Sequence, residues 1–201
     1  GISSILQETD SETTIKEFSS LLENSAQQLV NEIQMQRDLR NAENGILFVD
    51  IRTGSVNMIL SDVHSQYQNH SITKGKLIDV KLLDPDIEIQ TDMTLIKRCL
   101  GNLLKNAIEA TESKVMPIEI FAVETTDKIL FNVKNQTVIP EEVQRHIFYR
   151  SFSTKEKSGR GIGTYSVKLL AESYLKGKVY FVSTEETKTI FTIALPKKFR
   201  V

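Results

Sequence analysis

One helical periodicity runs through residues 13–43. Apolar side chains recur there mainly at steps of three and four residues, with polar residues between them: Ile15, Phe18, Leu22, Ala26, Leu29, Ile33 and Leu39. This spacing predicts an amphipathic α-helix, and Asn44-Gly45 is a typical stop signal. A helix of about 30 residues is long for a globular domain, and its apolar stripe is narrow. We therefore predict that residues 1–45 belong to a helical hairpin or bundle, with residues 1–8 ending a preceding helix.

The composition argues against several classes of protein. The chain has 201 residues, a formal net charge of −1 and no basic stripe interleaved with aromatic residues, so we do not expect it to bind nucleic acid. Its single cysteine, Cys99, excludes a disulfide framework and a cysteine-rich zinc site, and suits a reducing, cytoplasmic compartment. No apolar run reaches the roughly 18 residues of a membrane span. The abrupt opening, GISSILQETD, suggests a piece of a longer protein whose membrane segment, if any, lies upstream.

Beyond Gly45 the pattern changes to short strands and separate helices. The ILFVDI stretch reads as a strand or loop. Alternation predicts strands in KLIDVKL and DIEIQ and two hairpins, PIEIFAVET with KILFNVKN and KVYFVST with TIFTIALP. Helical spacing predicts helices at 56–69, 93–112, 141–149 and 164–174. Because helices and strands alternate unevenly, we predict an α+β fold over residues 46–201, a two-layer α/β sandwich rather than a doubly wound sheet.

The predicted helix 93–112 carries two asparagines, Asn102 and Asn106, four residues apart and therefore on one face. Seen alone, the pair is most simply a solvated polar face. Asparagine is only a middling helix former, however, so two of them in mid-helix suggest another reason. An amide oxygen is a hard, neutral ligand that suits a Mg²⁺ ion holding waters and phosphate oxygens as its other ligands.

A basic, glycine-rich stretch follows in SFSTKEKSGRGIGTYSVKLL, residues 151–170. Arg150 and Lys155 bring positive charge, Ser153 and Thr154 bring donors, and Gly159, Gly161 and Gly163 precede a predicted helix. Backbone without side chains and free N–H groups at a helix start favour an anion. An exposed basic loop or a flexible turn is the simpler alternative. The stretch is not a P-loop, since G-x-x-x-x-G-K-[ST] is absent, and it does not follow a strand as a dinucleotide fingerprint does.

The order of the segments carries a resemblance. An N-x-x-x-N-A helix, a hairpin, IP…IF…SFSTK, GRGIGTYSVKLL and a final TIFTIALP succeed one another, and together they resemble the ATP-binding domain of sensor histidine kinases. The resemblance covers roughly residues 46–198 and implies the Bergerat-type fold of the superfamily shared with DNA gyrase and MutL. The helix at 13–43 resembles the second helix of the dimerisation and phosphotransfer hairpin that precedes this domain.

The resemblance implies roles for the matching residues. Asn106 would coordinate Mg²⁺, with Asn102 and Lys105 near the phosphates of ATP, and Phe148 and Phe152 would anchor a lid over the triphosphate. The other residues that we expect at the nucleotide are Arg150, Ser153, Thr154, Lys155, Gly159, Arg160, Gly161, Gly163 and Thr164. In the hydrolysing relatives a glutamate stands at the position of Asn102 and activates water. An amide has no proton-accepting state near neutral pH, which favours phosphoryl transfer over hydrolysis.

Two positions depart from the family pattern. The family usually carries D-x-G-x-G before Ile-Pro, and its aspartate recognises adenine, but this chain has VKNQTVIP. Strict spacing places Lys134 at the aspartate position, and Asn135 is the nearest substitute. Near the end, Lys188-Thr189 replaces the preferred Gly-Thr. The phosphate end of the site is therefore expected to be intact, whereas adenine recognition is open.

None of the three histidines, His64, His70 and His146, is followed by an acidic residue as a phosphoacceptor of this family would be. We expect the acceptor outside these residues and no catalytic acid or base within them. The leading hypothesis is a kinase domain that passes the γ-phosphoryl of Mg-ATP to that histidine. It would form a homodimer through the N-terminal helix and act on a response regulator, with no nucleic acid and no membrane contact. The alternatives are a degenerate nucleotide-binding or scaffolding module of the same fold, and an anti-sigma-type serine kinase, which would lack the long helix.

Overall fold

The computed structural model describes residues 15, 19, 22, 26, 29, 30, 33–68, 71–73, 75–112, 116–150 and 162–199. The chain divides into two compact units, Gly1–Asn41 and Ala42–Val201. Every described residue of the first unit is helical, and together these residues are called α1 here. Helix α1 presents exposed apolar side chains at Ile15, Leu22, Leu29, Val30 and Ile33. Among the described residues, no helix combines the length and the apolar character needed to cross a membrane.

The described residues of the second unit form two sheets. Five strands form the larger sheet in the order β2-β4-β5-β7-β6, and two strands, β1 and β3, form a separate antiparallel ribbon. The strand bounds are Arg52–Ser55 for β1, Ile78–Lys81 for β2, Glu88–Thr91 for β3, Ile118–Glu124 for β4, Lys128–Asn135 for β5, Lys178–Thr184 for β6 and Lys188–Pro196 for β7. In the larger sheet β2 is parallel to β4, and the remaining pairs are antiparallel. Both predicted hairpins, β4–β5 and β6–β7, are present.

Helices cover one face of the larger sheet. They are α2 at Val56–Gln68, α3 at Met93–Ala110, the short α4 at Glu141–Gln144 and α5 at Gly163–Leu169, which continues as a π-helical turn over Leu170–Tyr174. Helix α3 buries a broad stripe, and Ile96, Leu100, Leu103, Leu104 and Ile108 are fully inaccessible. These side chains pack in one core with the inward residues of the sheet, among them Ile120, Phe131 and Ile193. The unit is therefore the α+β two-layer sandwich that the sequence predicts.

Some predicted elements differ from the structure. Residues 46–51 form a loop, and the strand β1 lies after them in Arg52–Ser55, where no apolar alternation announces it. The predicted helix 141–149 ends at Gln144 and continues as turns, because the i→i+3 bond from His146 N–H to Val143 C=O replaces the α-helical pattern. The last helix ends in a wider turn, with the Leu175 N–H donating to the Leu170 carbonyl five residues back.

The carboxylate of Asp92 starts α3. Its Oδ1 accepts hydrogen bonds from the backbone N–H groups of Thr94 and Leu95, each at 2.9 Å, and its Oδ2 accepts one from the N–H of Asp50 at 2.9 Å. The first two bonds satisfy donors that a helix start leaves unpaired. The third bond ties the loop before β1 to the beginning of the helix.

The outer edge of the larger sheet, strand β6, is capped by side chains from two other elements. The Val179 N–H donates to the Glu172 carboxylate at 3.2 Å, and the Ser183 carbonyl accepts from the Gln144 amide at 3.2 Å. Both backbone groups lie on an edge strand, where the ladder leaves every second residue without a partner strand. The two side chains occupy part of that edge.

We predict that Gly177→Ala destabilises the second unit. A Cβ at this position would lie 2.6 Å from the backbone oxygen of Ala194 and 2.5 Å from Leu195 Cδ2, so the loop or strand β7 must move. We expect a loss of about 1–3 kcal/mol in the free energy of unfolding, measured by urea denaturation. Gly54→Ala is the matched control, because its Cβ would meet only the flexible side chain of Met93 and no backbone atom. That variant should stay within about 0.5 kcal/mol of the parent protein, and equal losses in the two variants would contradict the packing argument.

A second prediction concerns Asp92, which is only 6% exposed. Asp92→Ala should lower the free energy of unfolding by about 1–3 kcal/mol, because the helix loses its cap and the Asp50 N–H loses its acceptor. Asp92→Asn keeps one oxygen for the helix but turns an NH₂ group towards the Asp50 N–H, so its loss should be intermediate. Urea denaturation of the three proteins tests this order. An alanine variant as stable as the parent would show that neither contact matters.

Candidate functional site

Helix α3 faces the first turn of α5, and the predicted polar residues lie at this contact. The Asn102 amide donates to the Ser166 hydroxyl at 3.4 Å, and that hydroxyl donates to the Gly163 carbonyl at 2.8 Å. Ser166 is fully buried. The Asn102 side chain is therefore engaged with α5, and the two helices are held in register by a neutral polar contact.

Asn106 lies one turn further along α3, beside the first residue of α5. A Cβ placed on Gly163 would lie 3.6 Å from Asn106 Nδ2 and 3.9 Å from its Oδ1, so the amide directly adjoins the glycine backbone. Within the described part of the chain, the Asn106 amide makes no hydrogen bond. A half-buried amide without a protein partner is available to a ligand.

Lys105 supplies a positive charge next to the asparagines. Its side chain is half-buried, and no ion pair or hydrogen bond joins it to any residue that the structure describes. The searched part of the chain contains no cluster of three or more His, Cys, Asp or Glu residues that could hold a metal ion.

Two predicted residues, Thr164 and Arg150, lie on either side of positions 151–161 in the chain and contact other parts of the unit. The Thr164 hydroxyl donates to the Ile147 carbonyl. The Arg150 guanidinium contacts both oxygens of Glu43, with Nε–Oε1 at 3.1 Å and Nη2–Oε2 at 3.2 Å. The structure thus pairs Arg150 with a carboxylate.

The same carboxylate reaches the beginning of α5. Burial raises the pKa of the Tyr165 hydroxyl, and the nearby charge of Glu43 raises it further. Glu43 therefore pairs with Arg150 before positions 151–161 and lies near Tyr165 after them. Sequence reasoning missed Glu43, because no local pattern distinguishes it from the other acidic residues near the end of the long helix.

At the end of β5 the structure separates Lys134 from Asn135. Lys134 pairs with Glu119 at 3.2 Å, and Glu119 also pairs with Lys81, so these three charges share the face of the sheet turned away from the helices. Both lysines lower the pKa of the Glu119 carboxyl, chiefly through its hydrogen bond with Lys81. Asn135 has the parity of the buried Phe131 and Val133 and is 4% exposed. Of the two candidate substitutes for the missing aspartate, only Asn135 faces the helices.

The remaining predicted residues either pack against strands of the larger sheet or lie outside the described part of the chain. Phe148 packs on Phe181 and Phe191, with ring centroids 5.8 and 6.3 Å away, and the Lys168 ammonium lies 5.3 Å from its ring centroid. The contacts secure the segment that leads into residues 151–161. Seven predicted residues lie outside the described residues: Phe152, Ser153, Thr154, Lys155, Gly159, Arg160 and Gly161.

Sequence reasoning also missed Ser166 and the hydroxyls of Thr189 and Ser183. Ser166 stands three residues after Gly163, and this spacing within a helix could have marked it as facing the same side. In the sequence, Thr189 draws attention only as the second residue of Lys188-Thr189, which stands where the family prefers Gly-Thr. Its contacts with Thr137 and Ser183 come from strand pairing, which the sequence does not display.

Comparison with known proteins agrees with this geometry. The family model described as "Histidine kinase-, DNA gyrase B-, and HSP90-like ATPase" matches residues 91–198, which include α3, the sheet hairpins and α5. Over 140 residues the chain is 37% identical to a probable C4-dicarboxylate sensor kinase of Halalkalibacterium halodurans, covering 63% of this chain and 26% of that protein. This chain thus spans about a quarter of the length of that relative.

Solved structures give the same result. The catalytic domain of histidine kinase ThkA aligns with a TM-score of 0.66 and 27% identity, covering 74% of this chain and 97% of that domain. The structure of ThkA in complex with the response regulator protein TrrA aligns with a TM-score of 0.65 and 24% identity, covering 84% of this chain and 49% of that chain, and shows a shared fold. The resemblance to the ATP-binding domain of sensor histidine kinases is confirmed. Because the family match spans more than half of the residues and includes both asparagines of α3, the chain belongs to the family of histidine kinase-, DNA gyrase B- and HSP90-like ATPases.

Proposed function

We propose that this chain is the ATP-binding kinase domain of a two-component sensor histidine kinase. It would transfer the γ-phosphoryl group of Mg-ATP to a histidine outside these residues. The observation that carries the proposal is the Asn106 amide, which adjoins Gly163 and has no partner among the residues described, in a chain of this family. Membership of the family and the 37% identity to a sensor kinase support it.

Phosphoryl transfer asks the protein for position and charge rather than for acid–base chemistry. The polar groups at the α3–α5 contact are neutral amides and a hydroxyl, and the Asn102 amide donates a hydrogen bond to the Ser166 hydroxyl. An amide cannot take a proton from water, so this arrangement favours transfer to a side chain over hydrolysis. Asn102 acts here by holding α5 against α3, so that Asn106 and Gly163 remain adjacent.

The residues present fit a magnesium ion. A neutral amide oxygen without a protein partner suits a cation that keeps water and phosphate oxygens as its main ligands. Asn106 would be the protein ligand. When bound, the ion would neutralise charge on the β- and γ-phosphates. Lys105 lies one residue before it and would add a positive charge at the phosphates.

Basic and glycine residues from position 150 onwards would enclose the rest of the triphosphate. Arg150 stands on Glu43 in this structure, so its binding to phosphate would require exchange of one anion for another. The other residues proposed here lie outside the described part: Ser153, Thr154, Lys155, Gly159, Arg160 and Gly161. Their spacing in the sequence supports phosphate binding through the backbone and a few donors.

We also propose a homodimer through α1. The described residues Ile15, Ser19, Leu22, Ala26, Leu29 and Ile33 follow alternating steps of four and three residues, and all of them are exposed. That spacing is the seam of a coiled coil or helical bundle. A response regulator is the partner that we propose for the full protein, since ThkA forms such a complex in the aligned structure. The location proposed for these residues is cytoplasmic.

The proposed activity is tested by replacing Asn106. In Asn106→Ala the binding of ATP measured by calorimetry should lose most of its dependence on Mg²⁺, because the amide oxygen is gone. Transfer of phosphate to a longer version of the protein that carries the upstream helix should fall in parallel. Asn106→Asp keeps an oxygen ligand and should retain Mg²⁺ dependence. Thr94→Ala, an exposed position at the start of the same helix, is the control.

The same assay separates the kinase from its alternative. The 201 residues alone should not label themselves, whereas the longer version should carry an acid-labile phosphate. Stable labelling at His64, His70 or His146 would contradict an acceptor outside these residues. Nucleotide binding without any transfer to the longer version would favour a degenerate binding module of the same fold.

The proposed dimer has its own test. Leu29→Glu places a charge in the exposed seam of α1 and should shift the protein towards monomer in sedimentation equilibrium, because a buried unpaired charge is costly. Gln27→Glu, which lies outside the seam positions, adds the same charge and should leave association unchanged. A monomer that neither substitution affects would contradict the proposed interface.

A further inference from the structure

Three polar side chains lie in one row across the inner face of the larger sheet. Asn135 on β5 is opposite Thr189 on β7, and Thr189 is opposite Ser183 on β6. Their exposed fractions are 4%, 2% and 8%. Buried polar groups are expected to form hydrogen bonds, so each polar side chain of the row should have a hydrogen-bond partner in the protein or in a ligand.

Both hydroxyls of the row form hydrogen bonds within the protein. Thr189 Oγ1 donates to the Thr137 carbonyl at 2.6 Å, which uses its only proton. The contact of 2.7 Å between Ser183 and Thr189 must then have Ser183 as the donor. Ser183 Oγ in turn accepts from the Ile139 N–H at 2.8 Å. These bonds hold residues 137–139 over the end of the sheet.

The amide of Asn135 is the member of the row without a hydrogen bond to the described residues. Over the described ranges, neither its NH₂ group nor its oxygen forms a hydrogen bond, although the residue is almost wholly buried. Contacts connect the row to helix α3, because the Thr137 carbonyl accepts from Thr189 and the Thr137 hydroxyl donates at 2.7 Å to the carbonyl of Ala110, one turn beyond Asn106. An amide without a protein partner at this place is available to the polar edge of a ligand.

Lys134, the other candidate, is excluded by its position. It faces the opposite side of the sheet and pairs with Glu119. The row itself contains no charged side chain. The polar edge of a base bound here would therefore meet a neutral group that both donates and accepts.

An amide differs from a carboxylate in what it can read. An ionised carboxylate only accepts, so it binds a 6-amino purine and repels the oxygen of a 6-oxo purine. An amide pairs with adenine by donating to N1 and accepting from the 6-amino group. Turned over, it pairs with a 6-oxo purine by donating to the oxygen and accepting from the N1–H. No hydrogen bond in the described structure holds the Asn135 amide in one of these two orientations.

We propose that Asn135 is the base-reading residue and that it accepts 6-amino and 6-oxo purine nucleoside triphosphates alike. The proposal rests on the proposed nucleotide site and specifies which substrates that site takes. The base would be recognised without a charged group. Selectivity between ATP and its 6-oxo analogues would then be weak at the binding step.

The experiment compares ATP with inosine triphosphate, which has a 6-oxo group and no 2-amino group, so that size does not confound the result. Dissociation constants with Mg²⁺ are measured by calorimetry for the unmodified protein and for Asn135→Asp, Asn135→Leu and Lys134→Asp. The unmodified protein should bind the two nucleotides within about threefold. Asn135→Asp should raise the preference for ATP at least tenfold, Asn135→Leu should weaken both alike, and Lys134→Asp should leave their ratio unchanged.

The outcomes separate this inference from the proposed function. A preference for ATP of tenfold or more in the unmodified protein overturns the inference but leaves the kinase proposal standing. A change of preference in Lys134→Asp instead of Asn135→Asp assigns the base to the other residue and also overturns it. Absence of binding by either nucleotide overturns both proposals. Thermal melting of each variant identifies one that has failed to fold, and a strong preference for ATP in the unmodified protein overturns the inference without any variant.

Discussion

The carboxylate of Asp92 accepts three backbone hydrogen bonds, and the position of the candidate site depends on them. Two of the bonds start α3, and the third holds the loop at Asp50. A helix that begins at a set residue presents each later residue in a set direction, at 100° per residue. Asn102 therefore meets Ser166, and Asn106 meets Gly163. The apolar stripe that ends at Ile108 then keeps the helix against the sheet.

The candidate site is built from neutral groups. Asn102, Asn106, Asn135, Ser166 and Thr189 are amides and hydroxyls, and Lys105, next to Asn106 in α3, carries a positive charge. Such a set can position a phosphate and its metal ion, and it has little means of moving protons. The engaged side chains, Asn102 and Ser166, join α3 to α5. The open ones, Asn106 and Asn135, are those proposed to meet the ligand.

The sequence predicted most of the architecture because its signals were local. Helices α2 and α3 and both hairpins followed from apolar spacing. Strand β1 was missed because Arg52, Thr53, Gly54 and Ser55 show no alternation and are ordered by pairing with β3. The bond between Glu43 and Arg150 joins residues 107 positions apart, so no local pattern reveals it. The choice between Lys134 and Asn135 depended on which face of β5 each occupies, and the alternation of Ile129, Phe131 and Val133 already contained that information.

The caps on strand β6 have a consequence for assembly. An edge with free N–H and C=O groups invites a strand from another molecule, and a head-to-tail contact of that kind propagates into a filament. Glu172 and Gln144 occupy two of those groups, on Val179 and Ser183, with a charge and an amide that an incoming strand would have to displace. Open-ended growth along this sheet is thereby disfavoured. Self-association of this unit is then left to surfaces that can close on themselves.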